Sequence, residues 1–377
     1  MEVLIAGDIV PQIEVEERIT VDNNKEFFPE IKNLLKDADL SIVNLECPII
    51  DDTEKPIHKI GPNLKCTKSI GKLLKYAGFD LVTLANNHFL DYGDEGAKNT
   101  IKVLNEYGIH YVGGGRNMDE ASKTFYYEKD NKTLAIINCC ESEFSIATDA
   151  SAGSNPLNPV LQWYAIRTAS HKADYVLVIV HGGHELYQLP SPRMQQLYRF
   201  FIDSGADAVI NHHQHFYSGY ELYNNKPIFY GLGNFYFINY KKRDRLWNEG
   251  YMVKISFPSV GFQIIPYNQT LGDENITLLS GDEKKTFFEN VEKINEIITD
   301  EKLLKKEFRN LVKRKYISYL LDFLPSSLCK FPTLINNKLI IKIFLSKRRM
   351  MKCLNHIRCE SHRDIMIESI RKYTEEL

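Results

Sequence analysis

Three imidazoles fall within four positions at Asn211-His212-His213-Gln214-His215, directly after the apolar run DAVI (207–210), in a chain with 11 His in all. Imidazole is the commonest transition-metal ligand and titrates near neutral pH. His213 and His215, two apart on a loop leaving a strand, are placed to turn toward one ion pair. Matching donors stand at the ends of other apolar runs: Asp8 after EVLIAG, Glu46 after LSIVNL, Asn86-Asn87-His88 after DLVTLA, and His181 after YVLVIV. Carboxylates, an amide oxygen and imidazoles form a mixed oxygen/nitrogen set suited to Mn, Fe or Zn, with no sulfur in it. Two cations ~3.5–4 Å apart need an anion between them, and a bridging carboxylate such as Glu46 would serve. Such a pair lowers the pKa of a bound water and clamps the attacking and leaving oxygens of a displacement at phosphorus. His88 beside it could protonate the leaving group or hold a phosphoryl oxygen. Singly, each residue has a plainer reading: Asp8 as a helix N-cap, Asn86-Asn87 as a turn, His181 as structural, Glu46 as a solvated carboxylate. Their joint arrival at strand ends carries the signal.

The elements that must position them are strands alternating with helices. Residues 2–7, 40–45, 80–85, 134–139, 175–180 and 207–210 are near-continuous apolar runs of strand length. Segments 25–38, 67–78, 95–108, 158–172 and 191–205 repeat apolar residues every three or four positions, with Gly78, Gly108 and Gly205 where helix C-caps belong. The pattern is α/β. In such sheets, sites gather outside the carboxyl ends of the strands, so donors spread along the chain can converge. Residues 220–233 read as a hairpin with Asn224-Asn225 at its turn, and strands follow at 250–257 and 261–268. From 282 onward the pattern is helical and basic. The expected division is 1–278 for the α/β body and 279–377 for a basic helical C-terminal region.

The 377 residues, 44% hydrophobic and 25% charged, suit a globular protein with ample core. The net charge of −2 is unevenly spread: residues 301–377 carry excess Lys and Arg, which an acidic remainder offsets. Lys347-Arg348-Arg349 reads as a solvated helical face, and no nucleic-acid partner is expected. GGGR (113–116) lacks the Lys-Ser/Thr of a phosphate loop and reads as a loop into a short helix. No run reaches the ~18–20 apolar residues of a membrane span; LIIKIFL (339–345) is too short and contains Lys342. The start, MEVLIAGDIV, reads as a first strand and not as a signal peptide. Seven Cys without paired spacing point to free thiols, with Cys139-Cys140 in the core, and to the cytoplasm.

The same segments carry a family resemblance. GD (7–8), NLECPI (44–49), LANNHFLDYGDEG (84–96), GGG (113–115), HGGHELYQLPSP (181–192), DSGADAVINHHQH (203–215) and KPIFYGLGNFYF (226–237) resemble the CapA-like poly-γ-glutamate capsule-synthesis family. That family is related to the calcineurin-like metallophosphoesterases. The resemblance covers about residues 1–270 and implies a calcineurin-like four-layer α/β/β/α sandwich with a dinuclear metal centre at a sheet edge. A C-terminal helical extension lies beyond it. Carried over by motif, Asp8, Glu46 and His215 look like ligands of one divalent ion; Glu46 as bridge, Asn87, His181 and His213 look like ligands of the other. His88 resembles the catalytic histidine of the Asn-His motif, and Glu185 and Asn234 resemble substrate-pocket residues. His212 and His184 are expected in supporting or surface positions. The chain departs from the pattern in four places. Ile9-Val10 follow Asp8 where calcineurin-like enzymes have Asp-x-His, and Gly182 replaces the Trp of an HWG motif. Asn211 replaces a Gly, and Gly231 a Ser. The implied function is a dinuclear hydrolase of phosphoesterase type acting in capsule or surface-polymer biosynthesis, with a metal-bridging hydroxide as nucleophile. Its substrate would be an anionic small molecule or polymer, and its partners the capsule-synthesis machinery. The alternative is a non-catalytic metal-containing assembly factor that binds an anionic polymer or a synthase, since poly-γ-glutamate has amide bonds and no phosphate.

Overall fold

The strand Glu2–Ile9 is buried on both faces: Val3 and Ile5 enter one hydrophobic core, Leu4 and Ala6 another. A strand covered on both sides needs no polar alternation, which is why EVLIAG reads as an unbroken apolar run. It lies within an eight-stranded sheet. Its parallel neighbours on one side are, in succession, Leu40–Leu45, Leu81–Thr83 and His110–Val112. On the other side it pairs antiparallel with Glu249–Ser256, which leads to Gly261–Gln269 and Ile276–Leu278. Its C-terminal end also pairs in parallel with the short strand Asn234–Tyr236, placing Asp8 opposite Asn234. The computed structural model describes residues 1–11, 28–51, 54–237, 244–269, 275–324 and 344–376.

A second sheet of six strands has the order Tyr220–Tyr223, Lys226–Phe229, Ala208–His212, Tyr175–His181, Lys132–Cys140, Phe125–Lys129. Val3, Ile5, Leu40 and Ile42 of the first sheet share a core with Ile136 and Val178 of the second. The other face of the first sheet, with Leu4, Val43 and Val82, packs on Ile31, Leu74 and Leu104 of helices Pro29–Asp37, Ser69–Ala77 and Gly93–Glu106. Helices Pro159–Lys172 and Pro192–Asp203 cover the second sheet through residues such as Ile166 and Phe201. The order helix, sheet, sheet, helix is the expected four-layer α/β/β/α sandwich. Each fully buried aliphatic side chain contributes about 1.5–3 kcal/mol to holding these layers together.

Local chemistry explains the element ends. Asn158 and Ser191 cap their helices through side-chain oxygens, with Pro159 and Pro192 in the first turn. Asn224 and Asn225 both take positive φ (52° and 61°), as a two-residue hairpin turn demands. Asp130 and Asn131 do the same, joining Phe125–Lys129 to Lys132–Cys140, a pairing the apolar-run reading did not anticipate. The strand expected over 80–85 ends at Thr83, because Ala85 leaves the ladder and its N–H donates to Asn138 Oδ1 at 2.8 Å. GGGR does run into a short helix, Met118–Ala121.

The chain divides into two compact units, Met1–Lys305 and Lys306–Leu377. The first therefore extends beyond residue 278: helix Gly281–Thr299 adds Phe287, Val291, Ile294 and Ile298 to the core between the sheets. The second holds helices Lys347–Arg358 and Glu360–Glu375, on which Lys347, Arg348 and Arg349 are exposed. Residues 325–343, with Pro325, Pro332 and most of LIIKIFL, lie outside the described residues. Among the described residues no helix is long and apolar enough to cross a membrane. Cys139 and Cys140 are buried free thiols of the second sheet.

Candidate metal centre

The strand ends converge. Asp8 closes Glu2–Ile9, Glu46 follows Leu40–Leu45, Asn87 and His88 turn away after Leu81–Thr83, His181 ends Tyr175–His181, and His213 and His215 follow Ala208–His212. Gly7 permits a close approach of strands, since a Cβ there would sit 2.0 Å from the Gly233 carbonyl oxygen. His213 (φ 91°) and His215 (φ 58°) lie in the left-handed region, which costs a non-glycine residue about 1–3 kcal/mol. Asn211 helps to hold that loop. Its amide donates to the carbonyls of Gly182 (2.8 Å), His212 (2.7 Å) and Tyr230 (3.1 Å), and its oxygen accepts from the Tyr198 hydroxyl at 2.6 Å. A glycine in its place could make none of these side-chain bonds.

Two groups of donors result. In the first, His215 Nδ1 lies 3.7 Å from Asp8 Oδ2 and 3.7 Å from Glu46 Oε2. In the second, His181 Nε2 lies 3.3 Å from Glu46 Oε1, 3.0 Å from His213 Nδ1 and 3.1 Å from Asn87 Oδ1. The ligand atoms of Asp8, Glu46 and His215, and those of Glu46, His181 and His213, each fall within 4.8 Å of one another. Glu46 belongs to both groups through different oxygens. It is fully buried, and neither oxygen has a hydrogen-bond partner. A buried carboxylate left so is costly, and a cation on each side answers it. The residues present therefore fit a pair of divalent ions.

Neighbouring side chains aim these donors. Asn44 Nδ2 donates to Asp8 Oδ1 at 2.7 Å, leaving Oδ2 on the His215 side. His212 faces away: its Nε2 hydrogen-bonds the Ala6 carbonyl at 3.1 Å, tying the histidine loop to the first strand. His184 is half-buried, and Glu185 is exposed while its charge still acts on Glu46 and His213. Asn234, expected to touch substrate, is fully buried with Oδ1 3.0 Å from His215 Nδ1. His88 Nδ1 lies 2.6 Å from Asp91 Oδ2 and 3.2 Å from Lys59 Nζ, and Lys59 pairs with Asp91 Oδ1. The Lys59 and Asp91 side chains are buried. The sequence reading missed Asn44, Lys59 and Asp91, and also Glu143, whose Oε1 lies 3.8 Å from His213 Nε2. Only Asp91 carried a signal, three residues after His88 in one turn.

Burial dominates the electrostatics. It pushes the Asp8 carboxyl up to about 7, against hydrogen bonds from Asn44 and the His213 N–H that lower it. Burial, and then the nearby Asp8 charge, raise Glu46 well above the carboxylate range. Burial lowers His181 well below its ordinary value, His213 in the same direction, and His212 to about 4. His181 and His213 are thus held in the neutral form, which is the state that ligates.

A four-layer α/β/β/α sandwich with buried carboxylate, imidazole and amide donors at its strand ends defines a candidate metalloprotein with its centre at the sheet edge. The model of the family described as "Bacterial capsule synthesis protein PGA_cap" matches residues 2–239. The chain belongs to that family. It is 33% identical over 241 residues to the capsule biosynthesis protein CapA of Bacillus anthracis, covering 62% of this chain and 59% of that one. With the PGA biosynthesis protein CapA of Bacillus subtilis it shares 32% over 240 residues, 61% of this chain and 62% of the relative. The matched region thus spans about three fifths of the length of these relatives. The crystal structure of a novel phosphatase from Mycoplasma pneumoniae is 14% identical, with 77% of this chain and 98% of that one covered and a TM-score of 0.43. At that distance the likeness says nothing of activity.

Proposed function

We propose that this protein is a metal-dependent hydrolase of phosphoesterase type, acting on an anionic substrate in capsule or surface-polymer biosynthesis in the cytoplasm. The observation that carries the reading is Glu46, a buried carboxylate with an unpartnered oxygen facing each of two donor groups. Divalent ions of the Mn, Fe or Zn class would supply an activated water and the positive charge that holds an anionic ester. Asp8, Glu46 and His215 would hold one ion, and Glu46, Asn87, His181 and His213 the other. Asn44 keeps Asp8 turned inward by occupying its outer oxygen. Asp91 engages Nδ1 of His88, so Nε2 is the atom that would pass a proton to the leaving oxygen. Glu185 at the exposed rim is assigned to substrate contact. Free thiols at Cys139 and Cys140 support a reducing compartment.

The test is metal analysis of the purified protein, then assays with chromogenic phosphomonoester and phosphodiester substrates. Turnover should vanish in Glu46→Ala and fall about 10²–10⁴-fold in His88→Ala. A protein carrying two ions per chain, without turnover that either variant reduces, would sink the hydrolase reading. A second reading follows from the capsule-synthesis family itself, whose polymer is joined by amide bonds: a metal-containing assembly factor that holds an anionic polymer for a synthase. Binding of polyglutamate to the metal-loaded protein, with no hydrolysis of any ester, would support it.

A further inference from the structure

The geometry points to Asn234 as a fourth protein ligand of the first cation, its side-chain oxygen binding a divalent ion together with Asp8, Glu46 and His215. The inference rests on the two-ion reading and deepens it. The second donor group contains an amide oxygen, Asn87 Oδ1, 3.1 Å from His181 Nε2. The first contains one in the same relation: Asn234 Oδ1 lies 3.0 Å from His215 Nδ1, the nitrogen that also faces Asp8 Oδ2 and Glu46 Oε2. Oxygen and nitrogen of an amide are told apart by their partners. Here Nδ2 donates to the Trp247 carbonyl at 3.2 Å, so Oδ1 is the atom turned toward the donors.

The backbone is equally fixed. Asn234 stands opposite Asp8 in the parallel pairing of Asn234–Tyr236 with Glu2–Ile9, and its carbonyl accepts from the Tyr267 hydroxyl at 3.0 Å. Full burial sets it away from an approaching substrate and among the cation donors. The chain lacks the histidine of an Asp-x-His motif, and Asn234 brings a donor to the same strand end from a neighbouring strand. Three oxygens and one nitrogen would then surround the first ion, and two oxygens and two nitrogens the second. The oxygen-rich set suits a harder ion such as Mn²⁺ or Mg²⁺ than its neighbour does.

Calorimetric titration of the full-length, metal-stripped protein with Mn²⁺, with elemental analysis alongside, tests the assignment. Wild type should bind two ions. Asn234→Ala should weaken one of them by about 10–100-fold and leave the other, while Asn234→Asp, which keeps an oxygen in place, should retain both. Asn234→Ala binding both ions with wild-type affinity overturns the assignment. A wild-type protein that binds no second ion overturns the two-ion reading beneath it. Should Asn234→Ala fail to fold, anomalous diffraction from Mn²⁺-soaked wild-type crystals decides. An ion at ~2.0–2.3 Å from Asn234 Oδ1 supports the ligand role, and one that Oδ1 does not reach refutes it.

Discussion

Burial holds the Asp8 and Glu46 carboxyls above their ordinary range, so protons compete with a cation for the same oxygens, at Asp8 up to about pH 7. For Asp8, raised from 3.8 to about 7, the protonated form is favoured by folding. Its contribution to metal-free stability is complete below about 3.8 and is lost as pH rises through about 7. His212, depressed from 6.5 to about 4, has the opposite sign: its contribution is present above 6.5 and lost as pH falls through about 4. The neutral histidines therefore offer little competition to a cation near neutrality, whereas the carboxyl protons must leave. Metal binding should release protons and weaken as pH falls below 7, by about tenfold per pH unit for each proton displaced. Titration of Zn²⁺ or Mn²⁺ at pH 6, 7 and 8, in buffers of different ionisation enthalpy, measures both quantities. Equal affinity across that range with no proton release would contradict the account.

Between elements, Gly7 lies tightly against Gly233, where strand Glu2–Ile9 meets the segment leading to Asn234–Tyr236. A methyl at Gly7 would lie 2.0 Å from a carbonyl oxygen that belongs to the backbone and has little room to move. Gly7→Ala should cost at least ~1–3 kcal/mol in chemical denaturation and lower metal affinity, although no donor is changed. Unchanged stability and affinity would show that the two strands can separate without disturbing Asp8. This meeting of strands also marks how far the chain's own pattern could be read. The strand ends carrying Asp8, Glu46, His181 and His215 were legible, because each follows an apolar run of strand length and the strands are buried on both faces. Asn234–Tyr236 was not, since three residues become a strand only through pairing with the first strand, more than two hundred positions away. Lys59 was equally hidden. Its partner Asp91 makes its burial tolerable, and that pairing depends on how the segment after residue 54 folds back.

For the whole molecule, the question is where the part that builds the site ends. Among the described residues the last strand ends at Leu278, while the first compact unit runs to Lys305. The intervening residues place Phe287, Val291, Ile294, Ile298 and Leu304 in the core shared by the two sheets. At about 1.5–3 kcal/mol each, these side chains are worth on the order of 10 kcal/mol, comparable to the entire ~5–15 kcal/mol stability of a typical domain. Polar contacts would be lost with them. Gln195 Nε2 donates to the Ile298 carbonyl at 2.7 Å, and the Tyr220 N–H donates to Asn295 Oδ1 at 2.7 Å. The ring of Phe287 packs 4.6 Å from that of Tyr217, two residues after His215, so the same helix steadies the histidine loop. Residues 1–305 should therefore unfold in one cooperative transition and bind divalent ions as the full chain does. Residues 1–278 should lack a cooperative transition and bind them at least tenfold more weakly. Thermal unfolding and metal titration of both truncations provide the measurement. If 1–278 matches 1–305 in both, the helix after the last strand is an ornament of the sandwich and plays no part in building the centre.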